Sequence, residues 1–252
     1  MIACLWAYDG WSNLNSLAEE LIDFEKRLPM TILGSVSVVI MCYIVANASY
    51  FAVLSQDTVI NSDAIGIEYG KTIGGSILGG FFALGVAFSA AGSANGSIMT
   101  GGRSFYAVGR AGMAPKKFAE LNSAGSPWFA LCAQGFWAVC LILIPGSNFS
   151  TLLDYFGPAS WFYYAITGST VIYLRETQPD LPRPFKVPLY PLPPILLVVI
   201  SACLIVNSFY NSPMFTGIAF AFIFLSIPVW YLFKEEAEKV DNDDRITLLD
   251  AI

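Results

Sequence analysis

The chain has 252 residues, 56% of them hydrophobic and 13% charged, with a net charge of −6. Globular domains carry about 25% charged residues, so this is a membrane composition. The acidic balance argues against a nucleic-acid surface, which needs the opposite sign. Histidine is absent, which removes the commonest proton shuttle, metal ligand and general base.

Residues 1–22, MIACLWAYDGWSNLNSLAEELI, begin apolar from Ile2 to Ala7 and break at Tyr8-Asp9-Gly10-Trp11-Ser12. They resume as a polar-tolerant helix from Asn13 to Ile22. Neither half has the roughly 20 apolar residues that a bilayer span needs, but joined they have that length. A broken helix is tolerated in lipid only where its freed backbone is buried in protein or lines a watery cavity. Transporters place substrate sites at such breaks, which makes residues 6–12 the candidate site. Nothing basic precedes the first apolar run and no small-residue cleavage site comes after it, so no cleavable signal peptide is expected.

Six further apolar segments lie at residues 30–54, 73–108, 128–144, 149–174, 194–210 and 214–233. The second of these is too long for one straight span and rich in small residues, so it is expected to tilt or to extend beyond the membrane. With seven spans, 12 of the 13 basic residues fall on one side and only Lys71 falls opposite. The positive-inside rule then puts the C-terminal tail in the cytoplasm and Met1 outside. An odd count with an outside start suggests a missing N-terminal half. The expected organisation is a transmembrane domain over 1–233 and a short, acidic, mobile cytoplasmic tail over 234–252. The stretch QPDLPRPFKVPLYPLPP (178–194) holds seven prolines and reads as an extended, polyproline-like connector.

All five cysteines (Cys4, Cys42, Cys132, Cys140, Cys203) lie in apolar stretches, where small buried hydrophobes are the default and a disulfide framework is not expected. No nucleophile–base pair, metal cluster or phosphate loop is visible, so no enzyme, cofactor or metal chemistry is expected.

Asp9 is the sharpest signal, because an ionisable group within the bilayer costs at least roughly 2.5–3.5 kcal/mol and by default faces a cavity or a partner. It suits a counter-charge for a cationic side chain or an amino group, and it equally suits a cap on the second half-helix, a role that Ser12 could share. Gly10 supplies the backbone freedom that the break requires; loose packing beside Trp11 is the plainer account. Asn148-Phe149-Ser150 fits the glycosylation pattern in a short outside loop. In the tail, Asp244-Arg245-Ile246-Thr247-Leu248-Leu249 matches an acidic dileucine sorting signal, or is simply an acidic tail with a few apolar residues.

Three stretches carry a resemblance: WAYDGWSNLNSLAEEL (6–21), SAAGSANGSIMTGGR with RAGMAPKKF after it (89–118), and RETQPDLPRPFKVPLYPL (175–192). In family order and with compatible spacing, they resemble the sixth segment, the eighth segment with its loop, and the ten–eleven connector of the L-type amino acid transporters. These are the light chains of heteromeric amino acid exchangers in the amino acid–polyamine–organocation superfamily. The resemblance implies an all-α polytopic membrane protein with a partial LeuT-like fold. About seven transmembrane helices, segments six to twelve, would be present, the first of them broken. It implies a sodium-independent exchanger of neutral and/or basic amino acids in the plasma membrane, or, if the dileucine signal acts, in an endosomal or vacuolar membrane. A single-span glycoprotein heavy chain is the implied partner. A non-transporting amino acid sensor and an inactive truncated product share the fold and stay open.

By the same resemblance Trp6 is an aromatic lid, able also to hold a cation by cation–π attraction. The substrate ammonium would meet backbone carbonyls near Trp6 and Ala7. Ser93 and Ser97, four residues apart on one helical face, and Ser160 beside Trp161 would line the site. Close helix packing explains the small residues around Ser93 equally well. Trp6 and Asp9 resemble the subtype that exchanges basic amino acids and cystine for neutral ones. The loop Asp23-Phe24-Glu25-Lys26-Arg27 departs from the family in being more acidic.

Overall fold

The computed structural model describes residues 5–20, 22–144 and 148–250. Cys4 and the residues before it, Leu21, residues 145–147 and the last two residues lie outside them. A helical turn at Leu5 and Trp6 leads into a 3-10 helix, Trp11–Glu20. Next come α1 (Phe24–Val53), α2 (Gln56–Asn61), α3 (Ile65–Arg110), a 3-10 turn (Lys116–Ala119), α4 (Trp128–Leu143), α5 (Phe149–Thr177), α6 (Leu192–Asn211) and α7 (Pro213–Asp250). No strand occurs among the described residues.

Four of the six segments expected after the break are long and apolar enough to cross a membrane: α1, α3, α6 and the Pro213–Phe233 part of α7. At 16 residues α4 is apolar but short. The 29-residue α5 has the length, with Asp154 and several hydroxyl residues along it. Three of the four described cysteines, Cys42, Cys132 and Cys203, are exposed rather than buried, and all four are free. These helix faces meet no core within the described chain, which corrects the expectation of burial.

The chain divides into two compact units, Tyr8–Gly101 and Met1–Ala7 with Gly102–Ile252. In the first, the 3-10 helix packs on α1. Ser55 caps α2 by accepting from the Thr58 amide at 3.2 Å. α3 begins before the apolar segment expected at 73–108, and this added length forms a separate short arm. Gly74 (φ −149°) and Gly75 (φ +67°, ψ −164°) leave helical geometry and fold the helix back on itself. A Cβ on Gly70 would lie 2.7 Å from Phe82 Cδ2 and 3.1 Å from Gly79 Cα, so the short arm runs against the long one. Only glycine readily adopts the backbone of Gly75. Tyr69 on the short arm meets Tyr50 of α1 and Phe82 of the long arm edge-on, with ring centroids 5.3 and 5.6 Å apart.

In the second unit α5, α6 and α7 pack together. Their buried positions are small or hydroxyl-bearing as often as large: Gly157, Pro158 and Gly168 on α5, Ser201, Leu204 and Ser208 on α6, Thr216 and Ala219 on α7. Membrane helices pack in this way, because small residues let backbones approach. A Cβ on Gly168 would lie 3.0 Å from Val198 Cγ2 and 3.3 Å from the Pro194 carbonyl. Gly102 and Gly109, in the last turns of α3, similarly admit Leu131 of α4 and Phe118 of the 3-10 turn.

Two connections differ from expectation. The proline-rich stretch after α5 is a folded elbow, not an extended spacer. Arg183 Nη1 donates to the Pro179 and Leu181 carbonyls at 2.8 and 2.9 Å, and Nη2 donates to Leu174 and Gln178 at 3.0 and 2.6 Å. One planar guanidinium thus binds a carbonyl in the last turn of α5 and three just beyond its end, adding to the Leu174 carbonyl's bond from the Gln178 amide at 3.1 Å. The Arg175 guanidinium sits over the Tyr190 ring at 4.2 Å. The acidic tail, in turn, continues α7 as helix to Asp250. Residues Lys234, Glu235, Glu236, Ala237 and Glu238 are good helix formers, and extending an existing helix avoids the cost of a new nucleus.

Candidate functional site

The interruption expected near residues 8–12 is present. Helical geometry ends at Trp6, residues 7–10 form a turn, and Gly10 holds φ +101°. Beyond the turn lies a ten-residue 3-10 helix, Trp11–Glu20, rather than the α-helix expected over residues 13–22. The Asn13 amide donates to the Gly10 carbonyl at 3.1 Å as it begins. Runs of 3-10 helix beyond three or four residues are uncommon, and where they interrupt a longer helix they often mark hinges. A Cβ on Gly10 would find only Asn13 Nδ2 at 3.7 Å. The demand for glycine is therefore conformational, not steric.

Trp6, Ala7 and Ser160 belong to the unit that holds α5, and Asp9, Gly10, Ser93 and Ser97 to the unit that holds α1. In the α5 unit, Trp6 meets Phe156 and Phe149 edge-on, at centroid distances of 5.3 and 6.1 Å. Edge-to-face pairs at these distances are favourable beyond their buried area. Trp6 is 40% exposed and lines a half-open cavity of about 770 Å³ with Trp137, Phe149, Phe156, Tyr163 and Phe222. The size suits a small-molecule site, though the lining is almost wholly apolar and Ser160 is not part of it. Ser160 lies half-buried on α5 between two residues, Phe156 and Tyr163, that do line it.

In the α1 unit, Tyr8 meets Tyr43 edge-on at 5.1 Å. Asp9 is exposed and does not line the 770 Å³ cavity. Ser93 and Ser97 are exposed on α3. Less than a turn beyond Ser97, the buried Thr100 hydroxyl donates back to the Gly96 and Ser97 carbonyls at 3.0 and 3.3 Å. No group of three His, Cys, Asp or Glu side chains able to hold a metal occurs among the described residues.

Sequence reasoning missed three features. Phe149 and Phe156, which back Trp6, sit seven residues apart on one face of α5; that spacing was the available signal. Asp154 is a carboxylate within a helix of spanning length, and it accepts from Ser212 Oγ at 3.0 Å; the rule applied to Asp9 would have found it. Asn148 uses its side chain as the N-cap of α5, Oδ1 accepting from the Thr151 amide at 2.9 Å and hydroxyl at 3.0 Å.

Comparison with known proteins bears on the origin of this site. A sequence-family model described as amino acid permease matches residues 1–233. The chain is 34% identical over 234 residues to b(0,+)-type amino acid transporter 1 of Rattus norvegicus, covering 88% of this chain and 47% of that protein. It is 33% identical over 244 residues to Large neutral amino acids transporter small subunit 2 of Mus musculus, covering 94% and 44%. The chain thus spans somewhat less than half the length of these relatives.

Proposed function

Because the chain belongs to the amino acid permease family, we propose that it supplies the substrate-holding helix break of an amino acid transporter that works by alternating access. Members of such a family carry solutes and are not enzymes, and the chain is an integral membrane protein with helices fit to cross the bilayer. The single observation that carries the proposal is the interruption at residues 7–10, with Gly10 at φ +101° and a 3-10 helix beyond it.

At such a break the backbone leaves the regular helical pattern and can turn its peptide groups toward a ligand. Carbonyls ending the first half-helix, at Trp6 and Ala7, would accept from the substrate ammonium, and amides opening a half-helix attract its carboxylate. Trp6 would cover the bound amino acid. Asp9 would pair with a cationic side chain, and Ser93, Ser97 and Ser160 would supply hydroxyls. Rocking of one helix bundle against another would expose the site to each side in turn. We take the substrates as neutral and basic amino acids exchanged without sodium. Similarity to both a b(0,+)-type and a large neutral amino acids transporter supports that range. One relative is named a small subunit, which supports a heavy-chain partner for this chain as well. Seven crossings, a plasma-membrane site with the tail in the cytoplasm, and endosomal or vacuolar sorting through Leu248 and Leu249 complete the proposal.

The test is uptake by the whole gene product in liposomes, with lysine, cystine and leucine as competitors. Counterflow of labelled lysine or leucine against unlabelled amino acid is the expected result. Binding without flux would replace the transporter reading with that of a sensor.

A further inference from the structure

The elbow between α5 and α6 presents apolar side chains to the outside while its backbone is pinned. Leu181, Phe185 and Leu189 are 47%, 48% and 79% exposed. Leu189 sits at φ +55°, a left-handed conformation that costs a leucine energy and is normally left to glycine or asparagine. A folded loop free to relax would turn so large an apolar side chain inward. Here the four hydrogen bonds from Arg183 hold the first half of the loop, and Arg175 stacks on Tyr190 at its far end.

Among the described residues those interactions give the cations no counter-charge. Arg183 is satisfied by neutral carbonyls and Arg175 by a ring, and among the described residues no carboxylate forms an ion pair with either or with exposed Lys186. Residues 175–191 hold these three cations against Glu176 and Asp180, so the stretch is net positive in a chain of net charge −6. Exposed apolar residues beside an exposed lysine suit a segment that lies in the headgroup region of an anionic leaflet. The elbow also joins α5 to α6, whose 20 residues are apolar enough to cross a bilayer, so it emerges where headgroups are.

We propose that this elbow is a preformed membrane-docking surface: Arg183 fixes its backbone so that Leu181, Phe185 and Leu189 enter the leaflet and Lys186 meets anionic lipid headgroups. The proposal rests on the reading that α5 and α6 cross the bilayer.

The experiment places an environment-sensitive fluorophore on Phe185→Cys, Leu189→Cys or Val206→Cys, with the native cysteines changed to serine. Each protein is reconstituted into phosphatidylcholine nanodiscs with or without phosphatidylserine. Doxyl-labelled lipid should quench positions 185 and 189 more than aqueous iodide does, by roughly twofold or more, and phosphatidylserine should strengthen that quenching. Lys186→Glu should remove the phosphatidylserine dependence. Two sites in the loop guard against one variant misfolding. Iodide quenching at 185 and 189 would mean a solvated loop, and quenching by neither agent would mean cover by protein; both overturn the proposal. Indifference to phosphatidylserine overturns its headgroup part. Val206, 68% exposed within α6, separates the two readings. If lipid quenches 206 but not 185 or 189, docking alone fails; if aqueous iodide quenches 206, the membrane crossing fails with it.

Discussion

Ser212, at the corner between α6 and α7, donates its hydroxyl to Asp154 Oδ2 on α5 at 3.0 Å. This bond joins residues 58 apart in sequence and ties all three packed helices at one end. A hydrogen bond to a charged group contributes about 1.5–3 kcal/mol. Asp154→Ala should therefore lower the thermal midpoint of the detergent-solubilised protein, and Ser212→Ala should lower it less. A double-mutant cycle should return a coupling of about 1 kcal/mol or more; additive effects would show that the bond contributes nothing.

The fold-back of α3 depends on Gly75, whose φ +67° and ψ −164° suit glycine alone. Gly75→Ala should cost about 1–3 kcal/mol. Gly85→Ala should cost nothing, because a Cβ there meets open space. Thermal unfolding of the two variants side by side makes the comparison, and equal midpoints would refute the strain argument.

Arg183 makes four hydrogen bonds to backbone carbonyls. Arg183→Ala should destabilise by about 2 kcal/mol, less than the bonds would suggest separately, because water reaches this surface and can replace the donors. Arg183→Lys keeps the charge but not the planar fork, and should recover less than half of the loss. Full recovery by lysine would mean that charge alone matters.

These positions also separate what the sequence reveals from what it hides. The apolar runs place α6 and the spanning part of α7 within about two residues, and α1 within about six, because burial in lipid demands a minimum apolar length. The break is legible for the same reason: Asp9 and Gly10 interrupt an apolar run and suit no helix interior. The fold-back at Gly74–Gly75 is not, since Gly70, Gly74, Gly75 and Gly79 look alike in sequence and only tertiary contact distinguishes a hinge from a packing glycine. The elbow is hidden because prolines report the lack of helix, whereas its shape comes from one arginine reaching back nine residues. Trp6 stands out as an aromatic at the break, but its partners Phe149 and Phe156 come from a helix distant in sequence.

At the break, Gly10→Ala should abolish most uptake while leaving surface expression intact, because φ +101° strains any L-residue. Trp6→Phe, which keeps an aromatic face towards Phe156, should retain more uptake than Trp6→Ala. Uptake scaled to surface-labelled protein checks both. Equal activity of wild type and Gly10→Ala would mean that the turn has no part in transport.

The most direct measurement is competition uptake by Asp9→Asn, comparing lysine with leucine. Removing the carboxylate should weaken lysine about tenfold relative to leucine, a difference of about 1.4 kcal/mol, because only lysine carries a side-chain cation for Asp9 to pair with. Unchanged discrimination between lysine and leucine in a well-expressed Asp9→Asn protein would contradict the claim that the helix break holds the substrate.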